Sequence, residues 1–241
     1  MRLLRRALRT DVYRLYHVLR TIDDLVDEDR PHAAQRVEAL ERWATSQYSS
    51  SPETQILADL KRRYPLSSGA VLDFCRAMRH DIARDPIDTE GDLELYCQRA
   101  GGTVGIMVSN LLGISEPDEL AKIATLGRAV QRTNILRDID DDRDSQRVYV
   151  ARTTIERFGD PLPGARAGLL RHQIAIADEL YERAAWTPRS RSERAIALSA
   201  NLYREILRQI EREGYGRKAG RVTVPACRRR MLVAKHRWRL R

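Results

Sequence analysis

The sequence lacks the features that define several common classes of protein. Its 241 residues include only three cysteines, which are widely spaced and form no CxxC pair, so neither a disulfide framework nor a zinc site is expected. No stretch approaches the roughly 18 apolar residues of a membrane-spanning helix, and the basic N-terminal stretch has no apolar core like that of a secretory signal. P-loop and dinucleotide-binding signatures are also absent. We therefore expect a cytoplasmic protein that is at most peripheral to a membrane.

Aromatic residues are scarce as well, whereas charge is abundant. The aromatic fraction is 6%, while 32% of the residues are charged and the net charge is +9, which favours anionic partners such as nucleic acid, phosphorylated substrates or an acidic membrane surface. No helix-turn-helix, RNP or zinc signature accompanies the basic C-terminal stretch RRRMLVAKHRWRLR (228–241), so nucleic-acid binding is not expected. Peripheral membrane contact through this stretch stays open, and no signature specifies an oligomeric state.

Apolar residues recur at intervals of three and four along most of the chain, which predicts an all-α protein. We expect one domain over residues 1–241, without repeats or a linker. The first predicted helices cover 3–29, Pro31 to a break at 49–52, 53–63, 69–84 and 90–112. Pro117 opens the next helix, and an irregular connection with a short helix follows over 143–164. The last predicted helices cover 165–186 and 191–213, and a basic segment is helical from Pro225.

The segment AGGTVG (100–105) places three glycines inside the predicted helix over 90–112. Each glycine weakens a helix by up to about 1 kcal/mol relative to alanine. A kink, or close approach of the backbone to a ligand or to a neighbouring helix, is therefore expected here. Thr89 is placed to cap the start of this helix together with Asp92.

The most informative stretch is LGRAVQRTNILRDIDDDRDSQRVYV (126–150). Gln131 and the second acidic cluster, as we name Asn134, Asp138 and Asp142, recur at intervals of three and four residues, so they share one side of the predicted helix. The carboxylates repel each other and favour a compensating cation, and Mg²⁺ prefers such oxygen ligands and shares them with phosphates. Alone, the stretch fits a solvated acidic helix end equally well.

Another acidic group lies on the first predicted helix. Asp23, Asp24 and Asp27, the first acidic cluster, occupy adjacent turns, with Asp23 and Asp27 on the same face and Arg20 one turn before them. The apolar residues between the acids indicate that this segment is partly buried. A solvated acidic helix would not need paired aspartates there.

Together the two acidic clusters suggest chemistry on a diphosphate. If they face each other across a helical bundle, they are expected to hold Mg²⁺ (or Mn²⁺ in its place), which would bind a diphosphate alongside arginines such as Arg20 and Arg137. No Ser/His/Asp or Cys/His arrangement for nucleophilic catalysis is evident. Metal-binding carboxylates together with arginines suit the departure of a diphosphate leaving group.

At this point the sequence resembles the squalene/phytoene synthase family, the head-to-head branch of the trans-isoprenyl diphosphate synthases. The matching segments are YHVLRTIDDLVDE (16–28), YCQRAGGTVG (96–105) and the stretch over 126–150, which meets most fixed positions of the family pattern LGxAxQxTNIxRDxxEDxxxxRxYxP. A weaker match continues through Asn201–Tyr215 and at Arg221 and Val222, so the resemblance spans nearly the whole chain. It implies an isoprenoid synthase helical bundle around a central cavity.

The resemblance also implies roles for individual residues. The first acidic cluster would match the family's first aspartate-rich motif, and the second acidic cluster the second, as metal ligands and catalytic groups. The residues that would bind diphosphate or order the site are Arg20, Gln131, Asn134, Arg137, Arg147, Tyr149, Tyr203 and Arg221. Tyr16 and Tyr96 fall where the family places cavity tyrosines, whose rings can steady a carbocation by roughly 2 kcal/mol or more when desolvated. Ordinary core packing is the alternative for these tyrosines.

Family members join two allylic diphosphates, such as farnesyl or geranylgeranyl diphosphate, into C30 or C40 products of isoprenoid and carotenoid biosynthesis. Two other readings stay open: a terpene cyclase or a transferase of one prenyl group to a non-isoprenoid (for example aromatic) acceptor, and a non-catalytic relative. Compared with the family pattern we expect a shortened N-terminus, because no serine-rich aromatic segment stands before the first acidic cluster. Asp141, Ile106 and Ala151 also depart from the family pattern, and the low aromatic content is unlike that of cyclases.

Overall fold

The computed structural model describes residues 4–185, 188 and 190–238, and these form helices without a β-strand. The predicted all-α class is therefore confirmed. The helices are α1 Arg6–Asp27, α2 Ala33–Ser46, α3 Pro52–Arg63, α4 Ser68–Ala83, α5 Glu90–Cys97, a π-helical segment Gln98–Gly102, α6 Thr103–Leu112, α7 Pro117–Asp144, α8 Arg152–Phe158, α9 Ala167–Arg183, α10 Arg191–Arg212 and α11 Ala226–Trp238. Some positions of the predicted segments lie outside the described residues: Leu3, Trp186, Thr187, Arg189 and the end of the basic C-terminal stretch.

Most predicted elements are present, with three differences. The expected helix over 90–112 is divided by the π-helical segment, α2 begins at Ala33 rather than at Pro31, and α7 continues to Asp144. Within the described ranges, no helix combines the length and apolar character needed to cross a membrane.

Helix starts follow the local sequence. The Thr89 backbone N–H donates to Asp92 Oδ2 at 2.9 Å, and the Asp92 N–H donates to Thr89 Oγ1 at 3.2 Å, which is the predicted capping box. Ser51 and Thr54 form an equivalent box at the start of α3, with Pro52 in the first turn, where a missing N–H costs nothing. These caps fix where α3 and α5 begin.

The chain folds into two compact units, each of which draws on two separate stretches of sequence. Unit 1 comprises the residues up to Asp85 together with Gln98–Gly127, and unit 2 comprises Pro86–Cys97 together with the residues from Arg128 onward. The first acidic cluster belongs to unit 1 and the second to unit 2. The expectation of a single domain stays a prediction.

Unit 1 is built around the amphipathic helix α1. Its predicted apolar stripe is buried, including Leu15, Ile22 and Val26, and α1 packs on α2, α3, α4 and α6. Helix α2 packs on α4 and contributes Trp43, which is fully buried. The remaining, more polar face of α1 carries the first acidic cluster.

In unit 2, α9 packs on α8 and α10, and α10 packs on α11. The core includes Leu169, Leu170 and Leu207. A fully buried guanidinium, Arg132 of α7, forms ion pairs with Glu90 at 3.0 Å and Glu94 at 3.4 Å. Helix α5 is thereby tied to the part of α7 that carries the second acidic cluster.

The glycine-rich segment allows two backbones of unit 1 to meet. A Cβ on Gly127 of α7 would lie 2.7 Å from the carbonyl carbon of Gly101 and 2.8 Å from the α-carbon of Gly102, which is far inside van der Waals contact. Of the alternatives for AGGTVG, the structure thus shows close approach of a neighbouring helix. The same glycines lie in the π-helical segment, a distortion that is frequent near functional sites.

The Gly127 contact predicts a strong effect of one methyl group. Gly127→Ala should lower the free energy of unfolding by about 1–3 kcal/mol, because the methyl group meets rigid backbone rather than a movable side chain. Urea denaturation followed by circular dichroism measures this. Gly69→Ala in α4 is the control, since its nearest neighbour is Ser67 Oγ at 3.7 Å, and it should be neutral or stabilising. Equal effects of both substitutions would contradict the close-contact explanation.

Candidate active site

Arg20 links two carboxylates of the first acidic cluster. Its guanidinium lies 2.9 Å from Asp23 Oδ2 and 2.7 Å from Asp24 Oδ1, as the spacing of three and four residues on α1 allows. The Arg20 side chain is half exposed. The guanidinium therefore occupies the position where like-charged aspartates need a cation.

Asp23 is the most perturbed acid of this cluster. Burial raises its pKa to about 7, the carboxylates of Asp27, Asp81 and Asp24 add to the increase, and Arg20 opposes it. The side chain keeps 37% of its surface exposed, so solvent screening limits the free energy involved. A carboxylate whose ionisation is opposed by neighbouring acids gains from an added divalent cation.

Tyr16 lies two turns before the first acidic cluster on α1 and is 58% exposed. This exposure excludes ordinary core packing, which was the alternative explanation for this tyrosine. Its expected role beside a carbocation stays a prediction.

Two arginines hold Asp138 of the second acidic cluster. Arg137 donates to both Asp138 oxygens, at 2.8 and 2.5 Å, and Arg221 Nε lies 3.1 Å from Asp138 Oδ1. The hydrogen bonds to Asp138 raise the pKa of Arg137, and Tyr203 is a further hydrogen-bond partner of that guanidinium. The structure thus brings together four residues that the sequence analysis had assigned to the site.

One turn earlier on α7, Asn134 supplies an oxygen without a hydrogen bond. Asn134 Oδ1 is buried and has no partner among the described residues, while its Nδ2 lies 3.5 Å from Gln131 Oε1. An unsatisfied buried oxygen costs about 1–3 kcal/mol, and an amide oxygen is a ligand that a hard divalent cation accepts.

Asp142, Arg147 and Tyr149 line one cavity of about 220 Å³ in unit 2, together with apolar side chains that include Ile135 and Ile139. Arg147 donates to the Tyr149 hydroxyl at 3.3 Å. The Tyr149 ring stacks on that of the buried Tyr96, with the centroids 5.1 Å apart. The three sequence positions 96, 147 and 149 are therefore neighbours in space.

Sequence reasoning missed a pair of buried residues beside this site. Asp140 lies between Asp138 and Asp142 in the chain but not on their stripe, and both its oxygens bind Arg166 at 2.6 and 2.7 Å. Arg166 follows a proline- and glycine-rich connection, where its burial leaves no periodic signal. Only the unusual density of acids at 138–142 pointed to this position.

The donor set fits a hard divalent cation. Carboxylates that oppose each other's ionisation and a buried amide oxygen without a partner are ligands that Mg²⁺ accepts. Within the described part of the chain, however, no three His, Cys, Asp or Glu side chains converge into a ready-made metal site. Arginines pair with Asp23 and Asp24 of the first acidic cluster and with Asp138 of the second.

Comparison with known proteins identifies the family. The squalene/phytoene synthase family model matches residues 1–228. The chain belongs to this family. It is 30% identical to the presqualene diphosphate synthase of Sinorhizobium fredii, covering 98% of this chain and 90% of that protein, and 30% identical to the 15-cis-phytoene synthase of Synechococcus elongatus, covering 92% and 82%.

Solved structures agree with the family assignment. A dehydrosqualene synthase crystallised with a ligand matches 99% of this chain and 89% of its own, with a TM-score of 0.86 and 26% identity. The squalene synthase HpnC from Alicyclobacillus acidocaldarius matches 89% and 87%, with a TM-score of 0.76 and 27% identity. The isoprenoid synthase fold expected from the resemblance is thereby confirmed.

The raised pKa of Asp23 predicts that the free energy of unfolding depends on pH. Between its ordinary value of 3.8 and about 7, the folded protein binds a proton at Asp23 that the unfolded chain has lost. The contribution of Asp23 to stability is therefore present at low pH and falls as the pH rises through this window. Asp23→Asn, measured by urea denaturation with EDTA, should gain stability relative to wild type as the pH rises through the same window. A difference that stays constant with pH would contradict the raised pKa.

Proposed function

We propose that this chain is a prenyl transferase that joins two allylic isoprenyl diphosphates head to head, as the names of its relatives indicate for them. The observation that carries the proposal is the arrangement on α7. A buried, unpartnered Asn134 oxygen lies one turn from Asp138, and Arg137 and Arg221 meet at the Asp138 carboxylate. Metal-ligand oxygens and diphosphate-binding cations occur side by side.

Arginines of both units would bind diphosphate oxygens. Arg20, Arg137 and Arg221 already make charge-assisted hydrogen bonds with carboxylates, and phosphate oxygens accept the same fork of donors. The carboxylates would hold the divalent ion, and these guanidinium groups would then bind the diphosphate. The paired arginines therefore neutralise the aspartates until substrate arrives.

Mg²⁺ is the proposed ion at each acidic cluster, with Asp23, Asp24 and Asp27 as its expected ligands in the first cluster and Asn134, Asp138 and Asp142 in the second. When bound, it supplies Lewis-acid stabilisation of the negative charge on the departing diphosphate. At each cluster an arginine would orient a diphosphate group and keep positive charge close to it: Arg20 at the first cluster and Arg137 at the second.

The proposed reaction needs no nucleophilic side chain. The C1–O bond of one allylic diphosphate breaks and its electron pair leaves with the diphosphate. The C2=C3 double bond of the second substrate attacks C1, and loss of a proton gives a cyclopropyl diphosphate. Tyr16, exposed on α1, and Tyr96, stacked on Tyr149, would stabilise the cationic stage through their ring faces.

Product analysis tests the proposed function directly. Purified protein incubated with MgCl₂ and labelled farnesyl or geranylgeranyl diphosphate should yield a C30 or C40 cyclopropyl diphosphate or a hydrocarbon derived from it. Chromatography with mass detection before and after phosphatase treatment separates these products. Monomeric terpenes, or a prenyl group transferred to an added aromatic acceptor, would contradict head-to-head condensation.

The role of α7 predicts a large effect at Asp138. Asp138→Asn should lower turnover by about 10²–10³-fold, since a charged group beside the leaving group is lost, while the helical circular dichroism signal persists. Asp141→Asn is the matched control, because Asp141 is exposed and lies off the stripe of the second acidic cluster. Equal losses in both variants would show that general acidity of this segment, rather than the Asp138 position, matters.

A further inference from the structure

We propose that the buried pair Asp140–Arg166 positions Arg221 for binding diphosphate. Neither residue touches the proposed substrate position; both act through the segment 214–222, which we call the glycine segment. The inference rests on the proposed function only in the role given to Arg221. The placement of the glycine segment can be tested without any substrate.

The pair is buried, and two hydrogen bonds join its side chains. Arg166 donates to both carboxylate oxygens of Asp140, at 2.6 and 2.7 Å, and the two side chains are only 3% and 4% exposed. A buried ion pair adds little net stability, since desolvation offsets the attraction. We therefore infer that the pair acts through the other hydrogen bonds that its two side chains make.

Those hydrogen bonds go to the backbone of the glycine segment. The Gly220 N–H donates to Asp140 Oδ2 at 2.8 Å, and Arg166 donates to the Lys218 carbonyl at 3.2 Å. A Cβ on Gly216 would overlap Arg166 Nε and come within 2.9 Å of Leu170 Cδ1. Gly216 also has a φ of +75°, which favours glycine. The backbone therefore lies directly against the guanidinium.

Arg221 follows immediately after the segment that is held. Its side chain is 54% exposed, so packing of the side chain cannot fix its position. Backbone contacts of its two neighbours fix the position of Arg221. The Gly220 N–H donates to Asp140, and the Val222 N–H donates to the Arg137 carbonyl at 3.3 Å. Arg221 Nε then reaches Asp138, two residues before Asp140 on the same helix.

The first measurement asks whether the pair holds the segment. In Arg166→Met, amide hydrogen exchange at Gly220 and Val222 should become at least about tenfold faster, because local opening becomes easier. Trypsin cleavage after Arg217 and Lys218, which are exposed, should also accelerate. Unchanged exchange and cleavage would overturn the proposal.

Because Arg166→Met removes both guanidinium hydrogen bonds from the buried Asp140 carboxylate and leaves it with Arg143 at 3.5 Å, a second variant protects the test against unfolding. Asp140→Leu combined with Arg166→Met replaces both charges by apolar groups, a change that folded proteins often tolerate. This double variant loses both side-chain contacts to the glycine segment, the one at Gly220 as well as the one at Lys218. It should keep the cooperative unfolding transition of wild type and still show the faster exchange.

The second measurement asks whether the pair acts through Arg221. With inorganic pyrophosphate and MgCl₂ as the probe in isothermal titration calorimetry, Arg166→Met and Arg221→Ala should each weaken binding about tenfold, the loss of one charge-assisted contact. In the Arg221→Ala background, Arg166→Met should change the affinity less than about twofold, since coupled residues are not additive. Full additivity would overturn the proposal.

Arg63→Met in unit 1 is the matched control. Arg63 makes a two-armed pair with the buried Asp11, one arm of 2.9 Å, and both residues belong to unit 1, whereas the glycine segment belongs to unit 2. This variant should leave the exchange at Gly220 and the pyrophosphate affinity unchanged. If wild type binds no pyrophosphate, the proposed function and the role of Arg221 fail; if it binds and exchange is unaltered in Arg166→Met, only the positioning inference fails.

Discussion

Like-charged carboxylates placed on one helix face must be neutralised, and this constraint determines the arrangement around both acidic clusters. The chain meets it with arginines: Arg20 for Asp23 and Asp24, and Arg137 with Arg221 for Asp138. Such pairs hold the acids on ordered helices without a metal. The same guanidinium groups are suited to phosphate oxygens, so one set of side chains serves the resting protein and the proposed substrate complex.

Around the second acidic cluster, buried polar groups extend the order imposed by α7. Arg132 ties α5 to α7 through Glu90 and Glu94, and α5 carries Tyr96. On another side of the helix, Asp140 fastens a backbone segment that has few side chains to pack. Buried guanidinium groups thus connect a short helix and a loop segment to the long helix α7.

Much of this arrangement could be predicted from the sequence. The periodicity of α1, the Thr89–Asp92 cap and the stripe of Asn134 and Asp138 are local properties, and each is present. The π-helical segment and the Asp140–Arg166 pair could not be predicted in the same way. Both involve contacts between residues that are distant in sequence. The backbone of Gly101 lies against Gly127, and Asp140 pairs with Arg166, which is 26 residues further along the chain. The sequence indicated only that glycines and acids were unusually dense there.

The contact between Gly101 and Gly127 has a consequence for how this family member can change over generations. Any side chain at Gly127 must displace the backbone at Gly101, and no single compensating replacement at Gly101 can make room, because glycine is already the smallest residue. The spacing of these two helical segments can therefore drift only by shifting whole elements. Contact between two backbones, rather than side-chain packing, therefore sets the distance between the π-helical segment and α7 at Gly127.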